Sequence, residues 1–108
     1  MERTKGDIAL SKLAKMKRRK AEAEFLSCSD SLRAIDDEAG RLRRRIQEIQ
    51  STASDITNRV SLDYSRMVSS LEKEYSLLAE QRRILDIECR KLRENLQRSI
   101  VAEETLDK

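Results

Sequence analysis

Histidine, proline and tryptophan are missing from the chain altogether, glycine and cysteine occur twice each, and aromatic residues make up only 3% of 108 positions. Each shortage excludes something. Without histidine the commonest general base and a principal zinc ligand are gone. Gly6 and Gly40 stand too far apart to form a phosphate-cradling loop. Cys28 and Cys89 have no CxxC spacing and suggest neither a disulfide framework nor a metal site; both read as plain helix residues. Acid pairs such as Asp36–Asp37 and Glu103–Glu104 sit in sequence with no pocket-forming signal and read as solvated faces. No enzyme and no cofactor are therefore expected. A membrane span needs about twenty apolar residues in a row and a secretory signal needs a shorter uninterrupted run. Neither occurs, so the cytoplasm is the expected location.

What remains is dominated by Ala, Glu, Lys, Leu and Arg, with 40% charged residues, the composition of a long helix or coiled coil. Intrinsic disorder competes at this charge content, but net charge is only +3 and apolar residues recur at regular spacing. From Phe25 they alternate three and four apart through Cys28, Leu32, Ile35, Ala39, Leu42, Ile46, Ile49, Ala53, Ile56 and Val60, a sustained heptad seam. A second seam, out of phase with the first, runs Tyr64, Val68, Leu71, Tyr75, Leu78, Arg82, Leu85, Cys89, Leu92, Leu96.

The phase slips between Val60 and Tyr64, around which the stretch Ser51 to Ser61 is rich in Ser, Thr, Asp and Asn, side chains that compete for backbone hydrogen bonds. The expected architecture is all-α: a single antiparallel two-helix coiled-coil hairpin, a long rod without a globular core. Helix 1 covers about residues 7–56, the turn about 57–61, and helix 2 about 62–104, with Ser61 as N-cap. One continuous helix with a heptad skip is the competing arrangement. Folding back at Asn58 and Arg59 sets Phe25 against Leu92, Cys28 against Cys89, Leu32 against Leu85, Ala39 against Leu78, Leu42 against Tyr75, Ile46 against Leu71, Ile49 against Val68 and Ala53 against Tyr64. Arg82 then faces Ile35 and is expected to snorkel to solvent. Gly40 costs about 1 kcal/mol relative to alanine and marks a candidate bend. Each packed arm would have about forty residues, on the order of 60 Å. The seven-residue spacing of Leu71, Leu78, Leu85 and Leu92 lacks the upstream basic helix of a leucine-zipper transcription factor.

Candidate contact residues lie off these seams. Lys12, Lys15, Lys17, Arg18, Arg19 and Lys20 form a run with no acid between Asp7 and Glu22, and Arg41, Arg43, Arg44 and Arg45 form a second cluster. Such clusters attract phosphate or acidic protein surfaces, although most are simply solvated helix faces. Interleaved aromatics and a recognition fold are missing, so nucleic acid is not the expected partner. Ile8, Leu10, Leu13 and Met16 make an apolar stripe in the basic segment, Ile100, Val101 and Leu106 do likewise at the other end, and Leu77, Ile84 and Ile87 form a candidate lateral docking face.

Leu10, Leu13, Met16, Lys17, Arg18, Arg19, Lys20, Ala21 and Glu22 repeat a pattern of spaced leucines, a basic run, then alanine and acid. Together with Tyr64, Met67, Leu71, Glu72, Gln81, Arg82 and Arg83 this resembles the small coiled-coil stalk proteins of type III export systems, flagellar or injectisome (FliJ/YscO-like). The chain is shorter than a typical member. The resemblance implies a two-helix rod, similar to the central shaft of rotary ATP synthases, that inserts its terminal end into the hexameric export ATPase ring and links it to the export gate, with secretion chaperones as further partners. Lys12 to Lys20 and the last helical turns near Ile100 would then meet the ring, and a monomeric rod is expected in preference to a homo-oligomer. The alternative is a self-associating structural scaffold or adaptor that uses the off-seam stripe.

Overall fold

A computed structural model of the chain describes the backbone of residues 4–53 and 58–107 and the side chains of residues 4–52 and 62–106. These form two α-helices, α1 (Lys5–Ala53) and α2 (Asn58–Asp107), packed antiparallel as a two-helix hairpin. They group into two compact units: a terminal unit of Met1–Ser31 with Leu85–Lys108, and an inner unit of Leu32–Ile84.

The start of α1 is fixed by a reciprocal cap. Thr4 Oγ1 accepts the Asp7 backbone N–H at 3.1 Å while an Asp7 carboxylate oxygen accepts the Thr4 N–H at 3.3 Å. Donors that the first turn would leave unsatisfied are thereby paired, and Asp7 also places negative charge at the positive end of the helix dipole. The first intrahelical bond, Ile8 N–H to the Thr4 carbonyl, follows at 3.1 Å.

The foreseen boundaries shift at the other end of the helix pair. α2 begins at Asn58, so residues 58–61 are helix and Ser61 lies inside it, not at its N-cap; Thr57 falls outside the described residues. An interior Ser or Asn costs only a few tenths of a kcal/mol against an average residue, too little to stop a helix that packing supports. Thr52 shows how such side chains are accommodated, its hydroxyl donating to the Glu48 carbonyl at 2.9 Å. The foreseen Ala53–Tyr64 pairing involves a side chain outside the described set. At Gly40 the helix is uninterrupted, with no positive φ, and an added Cβ would meet nothing within 4 Å.

The seam lies where the heptads put it. On α1 residues Phe25, Leu32, Ile35, Ala39, Leu42, Ile46 and Ile49 are half-buried and Cys28 is buried; on α2 the same holds for Tyr64, Val68, Leu71, Tyr75, Leu78, Leu85, Leu92 and Leu96 around buried Cys89. It also runs further than foreseen. Ser11, Ala14, Arg18 and Ala21 continue it toward the start of α1, and Ser99 and Glu103 continue it along α2. No large side chain among those described is fully buried, and neither unit has a globular core.

Candidate partner-docking surface

In the terminal unit most seam positions of α1 are occupied by small residues, with Arg18 and Phe25 as the large ones. Ala14, Ala21 and Cys28 recur at seven-residue spacing and are all buried, Ala21 to 4% exposure, opposite a stretch of α2 that contributes buried Cys89. Because the heptad positions facing α2 are taken by Ser11, Ala14, Arg18 and Ala21, the large apolar residues of the same segment point elsewhere. Leu10 is 52% exposed and Met16 66%, with Ile8, Leu13 and Leu26 also open to solvent; Val101 and Leu106 are exposed on α2. Ordinary amphipathic order is inverted along the first turns of α1, with small residues inside and leucines outside.

Arg18 is the exception within the basic run. Its seam position turns it inward, where its Nε donates to Glu103 of α2, and its Nη1 donates to Glu22 Oε2 at 3.0 Å. The guanidinium thus ties α1 to α2 in the terminal unit, whereas the sequence reading grouped it with the outward-facing cations. Lys12, Lys15, Lys17, Arg19 and Lys20 are exposed, Lys20 at 4.0 Å from Glu24. An open groove in this unit brings Leu10, Leu13, Ala14 and Lys17 of α1 against Arg98, Ser99, Ala102 and Leu106 of α2. Its floor is apolar and each wall carries a cation. The extension of the seam through Ser11, Ala14 and Arg18 was missed because two of those residues are polar; the heptad spacing of Ala14, Ala21 and Cys28 was the available signal.

Cys28 and Cys89 are both free thiols, and Cys28 donates to the Leu85 carbonyl at 3.8 Å. Burial, the hydrogen bond with Cys28 and the negative charges nearby push the Cys89 thiol from its ordinary 9.0 up to about 11. A thiol held protonated is a poor nucleophile and a poor metal ligand. Among the described residues no group of His, Cys, Asp or Glu side chains could hold a metal ion.

The inner unit is differently furnished. Arg82 lies on the seam yet is half-exposed, its Nε donating to Asp36 Oδ1 at 2.5 Å across the helix pair. Arg43 donates to the Tyr75 hydroxyl at 2.6 Å with its guanidinium carbon 5.6 Å from the ring centroid, so this member of the second basic cluster is used within the hairpin. Arg41, Arg44 and Arg45 are exposed beside it. Leu77 and Ile84 lie off the seam and open to solvent in this unit, and Ile87 is exposed in the terminal unit.

No family model, no curated protein and no solved structure matches this chain. Among the described residues no helix is long and apolar enough to cross a membrane.

Proposed function

We propose that the chain is a non-enzymatic coiled-coil stalk of a bacterial type III protein export apparatus, working in the cytoplasm, where it binds the hexameric export ATPase and links it to the export gate. The observation that carries the reading is the terminal unit: two antiparallel helices that present exposed leucines and exposed lysines together on the segment whose sequence resembles that family's N-terminal helix. A shaft that turns or slides inside a ring needs a contact surface on the outside of a helix pair held together from within, and Arg18–Glu103 supplies an internal tie that leaves the other cations outward.

The test follows from that division of labour. Reversing Lys12, Lys17 and Arg19 to Glu while leaving Arg18 in place alters the outward charge without cutting the tie to Glu103. Stimulation of the export ATPase by this variant is expected to fall to the unstimulated rate, and the wild-type effect is expected to weaken as salt rises because exposed charges are screened. Full stimulation by a variant whose helicity is unchanged sinks the stalk reading. A stable tetramer in sedimentation, lost on Leu77→Asp, replaces it with the self-associating scaffold, for which the exposure of Leu77 and Ile84 is the supporting observation.

A further inference from the structure

We infer that the groove formed by Leu10, Leu13 and Lys17 of α1 with Arg98, Ala102 and Leu106 of α2 is a docking site for an amphipathic α-helix of another protein, one whose apolar stripe is bordered by carboxylates. Three features decide the occupant. The lining is mainly apolar and comes from both helices, the kind of groove into which a helix lays its apolar face at i, i+3, i+4 and i+7 spacing. Lys17 on one wall and Arg98 on the other put positive charge on both sides of whatever lies along it, so a helix with acidic flanks is attracted on both edges. The surrounding α1 surface strengthens that field, since Lys12, Lys15, Arg19 and Lys20 are exposed and no acid occurs between Asp7 and Glu22.

The same charges disfavour the other candidates. A second copy of this chain seated groove to groove would bring Lys17 and Arg98 against their own equivalents, a like-charge juxtaposition that opposes closure. An anionic membrane would be attracted by the lysines, but a bilayer takes up a convex apolar face, and here Leu13 and Ala102 line a depression. In naming the chemistry of the ring segment the inference rests on the stalk reading, yet the preference for an acidic helix is measured without the ring, so either can fail alone.

The experiment uses the full chain and two fluorescein-labelled synthetic helices of about twenty residues, long enough to hold helix once docked. Both carry the same leucine stripe; one is flanked by Glu and the other by Lys. Fluorescence anisotropy is expected to show the Glu peptide binding at least about tenfold more tightly at low salt, with the difference shrinking as salt rises. Leu13→Asp should abolish binding, Lys17→Glu with Arg98→Glu should reverse the peptide preference, and Leu77→Asp, in the inner unit, should change nothing. All four positions are exposed, and circular dichroism serves to check that each variant remains helical. Equal binding of both peptides, no binding of either, or Leu13-dependent binding to phosphatidylserine vesicles in their place overturns the inference. Leu13-dependent dimers in sedimentation overturn it in favour of a second copy.

Discussion

The terminal and inner units are built from the same two helices but differ in how α1 fills its side of the seam. In the terminal unit Ala14, Ala21, Cys28 and Cys89 are buried, and most of the large apolar side chains of the first helical turns face solvent. In the inner unit Leu42, Ile46, Ile49, Leu71, Tyr75 and Leu78 sit on the seam, yet none is fully buried. Two helices with no third element cannot surround a leucine, so long seam side chains protrude at the flanks while alanine and cysteine are covered. Burial in such a hairpin therefore reports side-chain size, not hydrophobic content. The inner unit gains apolar area removed from water, and the terminal unit gains closeness of fit while releasing its leucines for contact with something else.

Enlarging a seam alanine in each unit gives the largest expected difference. Ala21→Leu forces a side chain into a site with no room and is expected to destabilise by about 1–3 kcal/mol, as overpacking commonly does. Ala39→Leu, beside Gly40 in an open depression of the inner unit, is expected to be neutral or stabilising. Urea unfolding followed by helical circular dichroism measures both, and equal costs would erase the distinction between the units.

A second test uses the buried thiol. The Cys89 pKa lies at about 11 in the folded chain, above the ordinary 9.0 that applies once unfolded. Between those values the folded state keeps a proton that the unfolded state has lost, so this contribution is complete below pH 9.0 and is lost as pH rises toward about 11. The urea midpoint of the wild type should therefore fall across that window more steeply than that of Cys89→Ala. Parallel pH profiles would show that the terminal seam admits water.

Much of this was legible from the sequence. Heptad spacing from Phe25 onward and again from Tyr64 identifies the seam residues, because a two-helix pair selects for a 3.5-residue period whatever its partners are. The continuation through Ser11, Ala14, Arg18 and Ala21 was not, because hydrophobic periodicity sees only large apolar residues and there Ile8, Leu10, Leu13 and Met16 draw the eye to the wrong face. Arg18 illustrates the cost. As one of a run of cations it looks like a surface residue, and only the position of Glu103 on α2 shows it turned inward. The Thr4–Asp7 cap was readable as a Thr followed three residues later by an acid, whereas the start of α2 at Asn58 was obscured because Ser, Thr and Asn weaken a helix without ending it.

The two cross-helix ion pairs give the last and finest comparison. Glu103, with its side chain 13% exposed, holds Arg18 at 27% in the terminal unit, whereas Asp36 and Arg82 in the inner unit are both 48% exposed. Glu103→Gln leaves a part-buried guanidinium that keeps Glu22 as its charged partner but loses the one on α2, and is expected to cost about 1–2 kcal/mol. Asp36→Asn removes a pair that water and salt already screen, and its cost should stay within about 0.5 kcal/mol. Double-mutant cycles with Arg18→Met and Arg82→Met, run at low and high salt, separate the pair energies from packing. Only the Asp36–Arg82 coupling should vanish in salt. If the Arg18–Glu103 coupling vanishes too, the small-residue seam does not exclude solvent, and close fit in the terminal unit cannot be what leaves its leucines outside.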